Sequence, residues 1–131
     1  MKEIKRFETL TRLTDVRLQS DQARMAELLA HEAELQQTLQ DLAAQRQKQS
    51  WPAMEAGDSA AVARADLHWQ LWIDQRRNTI NTELARVLAQ KEECKATLRI
   101  SFGRDQAAQR LWKTAQVSAK TDLTRKARYE S

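Results

Sequence analysis

Ser50-Trp51-Pro52-Ala53-Met54-Glu55-Ala56-Gly57-Asp58-Ser59 is the one stretch of this 131-residue chain in which helix-breaking residues cluster, and it lies well before the midpoint. Proline removes a backbone donor and clashes with the preceding turn, and glycine costs roughly 1 kcal/mol inside a helix. The chain holds one proline and two glycines, so the segments on either side are unopposed as helices. The expectation is all-α: helix one over about 3–50, a tip over about 51–58 and helix two over about 59–128. Asp58 or Ser59 can cap the second helix by accepting from its first free N–H groups, and the alanine-rich run Ala60-Ala61-Val62-Ala63 carries it forward.

Two unequal helices joined by a short tip fold back as an antiparallel pair, and the longer one must then overhang. With 31% charged and 5% aromatic residues, a thick core is excluded and residues 1–131 form a single coiled-coil domain. The longest apolar runs, such as Leu28-Leu29-Ala30, fall far short of the roughly 20 residues that cross a bilayer. The start Met1-Lys2-Glu3-Ile4-Lys5-Arg6 lacks the apolar stretch of a signal peptide, so the expectation is a soluble, cytoplasmic chain without membrane insertion. Cys94 is the only cysteine and no His/Cys pair has zinc spacing, so neither disulfide nor metal nor cofactor is expected.

In a two-helix coil the apolar seam advances by alternating steps of three and four. Met25, Leu28, Leu35, Leu39 and Leu42 fit that pattern, and Glu32 is the misfit among them. Upstream, Ile4, Phe7, Leu10, Leu13 and Val16 recur every three residues, a spacing that drifts around the helix and predicts a local change of register with two apolar faces. In helix two, Ile73, Ile80, Val87 and Cys94 are spaced by seven, with Leu84 and Leu98 between. The stripe then thins to Ser101, Asp105, Ala108, Trp112, Ala115 and Ala119, and Gly103 allows a kink or a close helix approach there. Asp21, Glu32, Lys91 and Asp105 put charge in the seam, either to specify register or to host partners.

Folding about residue 55 sets side by side residues whose numbers add to roughly 110. Leu39 and Leu42 would then meet the Trp69–Ile73 region, Met25 would meet Leu84, and about twenty C-terminal residues would project unpaired. Charge shares the asymmetry. Residues 1–50 carry 8 basic and 8 acidic side chains, residues 51–99 carry 7 and 7, and residues 100–131 carry 7 and 3, so the net +4 lies in the last quarter. Arg104, Arg110, Lys113, Lys120, Arg125, Lys126 and Arg128 form a basic end suited to an acidic surface. No aromatic-interleaved stripe or reader motif accompanies them, so nucleic acid is not the expected partner.

Catalysis has no visible basis: there is no Gly-rich phosphate loop, no metal cluster and no nucleophile beside a histidine. His31 and His68 are isolated, Glu92-Glu93 are solvated neighbours, and Cys94 sits in the apolar register as a small hydrophobe. The tryptophans stand out. Trp51 falls at the tip and Trp69 and Trp72 early in helix two, where a two-helix seam covers only part of such large rings. Core packing is the ordinary role for Trp69, while Trp72 points away from the Ile73 direction. Trp112 falls on the seam beyond most of helix one.

The stretch Arg6-Phe7-Glu8-Thr9-Leu10-Thr11-Arg12-Leu13, followed by Gln22-Ala23-Arg24-Met25-Ala26-Glu27-Leu28, resembles the opening of FliJ-type flagellar export proteins, where a Phe-x-x-Leu-x-x-Leu-like start leads into Ala- and Glu-rich coil. Similar too are the long first helix, the short tip, the aromatic-rich start of helix two and a basic C-terminal end with Leu111-Trp112. The resemblance implies a non-catalytic stalk or escort protein of the flagellar type III export apparatus, related to injectisome stalk proteins. Such a protein links the hexameric export ATPase to the export gate protein and can escort export chaperones. It would be a monomer or weak oligomer in the cytoplasm, peripherally associated with the flagellar base. The ATPase-binding end would map to Arg6, Phe7, Arg104, Arg110, Trp112 and Lys113, and the gate-binding patch to Leu42, Trp69, Trp72 and Arg76. The short first helix and tip depart from longer family members and bear on the gate contacts. The competing reading is a generic coiled-coil adaptor or oligomerising structural protein, for which periodicity alone suffices.

Overall fold

The computed structural model describes residues 2–50 and 59–130 and, at residues 49 and 50, the backbone alone. Trp51, the tip expected at 51–58 and the cap at Asp58 lie outside the described residues. The chain is all-helical among the described residues: α1 runs Lys2–Ser50 and α2 runs Ser59–Glu130, and the two helices contact each other. Both helices contribute to each of two compact units, Met1–Ala26 with Glu93–Ser131, and Glu27–Glu92.

In the unit Glu27–Glu92 the core is aliphatic. Leu28, Leu35 and Leu42 from α1 are buried with Ile73, Ile80 and Val87 from α2, and Ile73 is fully enclosed at 0% exposure. Burying a side chain of this size stabilises by about 1.5–3 kcal/mol, so these six positions dominate the unit's stability. The polar residues on the same stripe find partners across it. Lys91 Nζ donates to Glu32 Oε2 at 3.0 Å, and Arg46 Nη1 lies 3.2 Å from Asp74 Oδ1. Glu32, the misfit of the seam, is thereby matched by the other charge on it.

The other unit has a different interior. Leu18, Cys94 and Ala108 are its buried apolar residues, and Asp21, Ser101 and Asp105 are buried beside them. Buried polar groups are tolerated when bonded, and these are. Thr14 Oγ1 donates to Asp105 Oδ1 at 2.9 Å, while Gln109 Nε2 donates to Asp105 Oδ2 at 2.9 Å. Ser101 donates to the Asp21 carboxylate, and the Cys94 thiol donates to the Asp21 backbone carbonyl at 3.8 Å. Of the alternatives open for the seam charges, the structure assigns them to each other and to small hydroxyls across the helix pair.

Three expectations are corrected. First, the stripe of buried and half-buried positions on α1 keeps steps of three and four from its start: Ile4, Phe7, Thr11, Thr14, Leu18, Asp21, Met25, Leu28, and on to Leu42. There is no change of register. Thr11 and Thr14 occupy the places that the three-residue spacing gave to Leu10 and Leu13, and Leu10, Leu13 and Val16 spiral onto the surface at 39%, 64% and 64% exposure. The threonines fit because Thr11 bonds back to the Phe7 carbonyl at 2.6 Å and Thr14 reaches Asp105, so neither hydroxyl is stranded.

Second, the cross-helix side-chain pairs have numbers that add to 119 for Thr14 with Asp105, 122 for Asp21 with Ser101, 123 for Glu32 with Lys91 and 120 for Arg46 with Asp74. The alignment is displaced by about ten residues from the expected 110. Leu42 therefore stands level with the residues around Asn78 instead of Trp69–Ile73, and the first turns of α2 extend beyond the described part of α1. At the opposite terminus the unpaired stretch of α2 shortens correspondingly. Ile4, Lys5 and Glu8 share a cleft with Ala119, Asp122, Leu123 and Lys126, and the run exposed throughout is 121–130. The physical reason is that the polar pairs fix the alignment, whereas the breaker cluster gives only the approximate place of the fold.

Third, α2 runs unbroken through Gly103, with no positive φ among the described residues. A Cβ built at Gly103 would meet nothing within 4 Å, so no close helix approach uses its missing side chain.

Candidate interaction surfaces

On α2 in the unit Glu27–Glu92, Trp69 and Trp72 are one helical turn apart, which brings their rings onto neighbouring parts of the helix surface. The rings stack with centroids 5.3 Å apart and an interplanar angle of 20°. Offset stacking of this kind contributes about 0.5–1.5 kcal/mol beyond area burial and holds both rings in one orientation. Trp72 is 50% exposed, whereas Trp69 is half-buried and its indole Nε1 is enclosed without a hydrogen-bond partner among the described residues. Arg76, one turn on from Trp72, is exposed. Leu42, expected in the same patch, is buried in the seam at 5% exposure, so a partner could touch it only after the helices part.

Two exposed leucines are not marked by the seam pattern. Leu67 and Leu71, four residues apart on α2, are exposed and leave the helix about 100–160° round from the tryptophans, so they form a separate apolar strip. The signal was present: once the seven-residue stripe through Ile73 and Ile80 is subtracted, Leu67, Leu71 and Trp72 are the large apolar residues left over in the first turns of α2. The stacked pair, with Trp72 half exposed, is the kind of aromatic surface that is enriched at interfaces.

The residues mapped to the other site all fall in the unit Met1–Ala26 with Glu93–Ser131, but on different faces. Phe7 and Trp112 occupy stripe positions and are half-buried; Trp112 Nε1 is enclosed without a partner among the described residues and the ring lines a cleft of about 330 Å³ with Glu8, Thr11, Arg12, Asp15 and Gln109. In that cleft Arg12 Nη2 donates to Glu8 Oε1 at 3.0 Å, and Asp15 Oδ2 accepts from Gln19 Nε2 outside the cleft at 3.1 Å. Arg6, Arg104, Arg110 and Lys113 are exposed. Six residues separate Arg104 from Arg110, so their side chains leave α2 in directions about 120° apart. The basic residues thus wrap the helix instead of forming one patch, an arrangement that suits a partner surrounding the helix better than one lying against a single side.

No cluster of three His, Cys, Asp or Glu side chains suited to a metal occurs among the described residues, and no described helix is long and apolar enough to cross a membrane. Against protein-family models, curated proteins and solved structures, the chain gives no match.

Proposed function

We propose that the chain is an antiparallel coiled-coil hairpin that serves as a non-catalytic stalk of a type III export apparatus, linking a hexameric export ATPase to the export gate and able to escort export chaperones. The observation that carries the reading is the presence of two chemically different exposed surfaces on one helix pair: the stacked Trp69–Trp72 patch on one unit and the encircling cations on the other. The resemblance of the N-terminal stretch to FliJ-type proteins supports the same assignment. In this reading Arg110, Lys113, Arg104 and Arg6 meet an acidic ring surface around the helix, with Phe7 and Trp112 holding the two helices together beneath them. Trp72, Trp69 and Arg76 face the gate, and Leu42 supports that patch from within. Association at the basic surface weakens with salt, because exposed charges are screened beyond about 8 Å at physiological ionic strength. The chain works in the cytoplasm beside the flagellar base.

Trp72→Ala should weaken gate binding by about 2 kcal/mol, roughly thirtyfold, with helicity by circular dichroism unchanged. Equal affinity of variant and parent would remove the gate assignment. Neutralising Arg110 and Lys113 together should lower ATPase association and flatten its salt dependence; unaltered stimulation of the ATPase would remove that half.

The second reading, a coiled-coil adaptor that oligomerises, is favoured by one observation: Leu10, Leu13 and Val16 are exposed. Sedimentation velocity separates the two, since the stalk reading requires a monomer at micromolar concentration and the adaptor reading a stable dimer or tetramer.

A further inference from the structure

Beside the buried stripe of the unit Met1–Ala26 with Glu93–Ser131 lies a second stripe. On α1 the residues Arg6, Leu10, Leu13 and Arg17 follow one another by steps of four, three and four, so they share one face of the helix. On α2 the residues Ile100, Arg104, Ala107 and Leu111 repeat the same steps. The two rows border one groove, because Leu13 and Arg17 line a single cleft with Ser101 and Arg104, its floor formed by Thr14. Positions flanking a two-helix seam usually carry Glu and Lys that pair across it. Here they carry large apolar residues, with Leu13 at 64%, Ile100 at 55% and Leu111 at 47% exposure.

Charge selects the occupant. Among these eight positions there are three arginines and no acidic residue. Arg17 makes one contact, 3.5 Å from Nε to Asp21 Oδ2, and still keeps 67% of its side chain exposed. A second copy of the chain seated on this groove would bring its own three arginines against these. An apolar stripe framed by cations instead matches a helix whose stripe of leucine-like residues is flanked by carboxylates.

We infer that the groove between Leu10–Leu13 of α1 and Ile100–Leu111 of α2 is a docking site for an acidic amphipathic helix of a partner protein, which completes a three-helix bundle. The apolar stripe of the guest packs onto the four exposed aliphatic side chains, and its carboxylates reach Arg6, Arg17 and Arg104. The row Arg6–Arg17 spans about three helical turns, so a guest of about three to four turns covers it. The groove shares Arg6 and Arg104 with the surface proposed to face the ATPase, whereas Leu13 and Ile100 belong to neither surface assigned there, so Leu13→Asp and Ile100→Asp test the groove separately from the export reading.

The test uses the full chain and a synthetic 21-residue peptide of three heptads, with Leu at both stripe positions and Glu at the flanking ones. Glu repulsion keeps the peptide monomeric alone. Fluorescence anisotropy compares it with a scrambled peptide of the same composition and with a Lys-flanked version. The expected result is binding at least about tenfold tighter for the Glu heptad peptide than for either control, with a gain of helicity on mixing. Leu13→Asp and Ile100→Asp should each weaken binding about tenfold or more while the chain's own helicity is kept. R6E/R17E/R104E should reverse the preference toward the Lys-flanked peptide. Equal binding of the heptad and scrambled peptides would overturn the proposal, as would indifference to Leu13→Asp. So would a dimer of the parent chain that Leu13→Asp converts to monomer, because a second copy would then hold the groove.

Discussion

The two units solve the pairing of the same two helices with different interiors. In Glu27–Glu92, leucine, isoleucine and valine fill the stripe and two charge pairs, Glu32 with Lys91 and Arg46 with Asp74, interrupt it. In Met1–Ala26 with Glu93–Ser131 the same stripe holds Thr11, which bonds within its own helix, and Thr14, Asp21, Ser101 and Asp105, which are tied by direct bonds from one helix to the other. Aliphatic burial is strong and tolerant of sliding, because leucine meets leucine equally well one heptad along. A bonded Asp–Ser or Asp–Thr pair contributes less net energy and loses it wholly when shifted. The difference teaches a division of labour: one unit supplies most of the aliphatic cohesion, and the other carries the buried polar bonds that, together with Glu32–Lys91 and Arg46–Asp74, fix which residues stand opposite which.

That division can be broken at its strongest point first. Ile80→Ala removes a side chain that is 2% exposed, and should cost about 2–4 kcal/mol in urea or thermal unfolding, with the larger loss in the amide protection of Glu27–Glu92. A loss below 1 kcal/mol would mean that the aliphatic unit is not the main source of stability. Asp105→Ala removes the acceptor of Gln109 and the cross-helix acceptor of Thr14, whose hydroxyl keeps only the Thr11 carbonyl at 3.0 Å, and should cost about 1–3 kcal/mol; paired with Thr14→Ala in a double-mutant cycle it should give a coupling of at least about 0.5 kcal/mol. Additive effects would show that the bond does not hold the register. Gly103→Ala should stabilise by about 0.5–1 kcal/mol, because the added methyl meets nothing and the glycine's freedom in the unfolded chain is lost. Destabilisation there would point to a neighbour that packs against that face.

Much of the stripe on α2 was legible in the sequence because its strongest markers, Ile73, Ile80, Val87 and Cys94, are apolar and regularly spaced, and all four are buried. The start of α1 was not, because its seam is held by threonines while its conspicuous leucines and Val16 lie outside it. Apolarity identifies a seam only where apolar residues occupy it. The alignment of the two helices escaped for a related reason: Thr14, Asp21, Ser101 and Asp105 are complementary only once placed opposite one another, and nothing in either helix alone ranks one alignment above another. For the surfaces, the half-exposed Trp72 follows from its offset from Ile73. The groove beside the seam emerges only after the stripe has been located and the leftover apolar residues are seen to share one face.

The proposed linking role rests most directly on the exposed cations Arg6, Arg104, Arg110 and Lys113. Titrating the full-length chain into a purified hexameric flagellar export ATPase, with binding and hydrolysis followed from low to physiological salt, tests it in one experiment. The stalk account predicts saturable association that stimulates hydrolysis, weakens as salt rises and is lost when Arg110 and Lys113 are neutralised. A chain that neither binds nor stimulates the ATPase at any salt concentration, while sedimenting as a stable self-associated species, would contradict it.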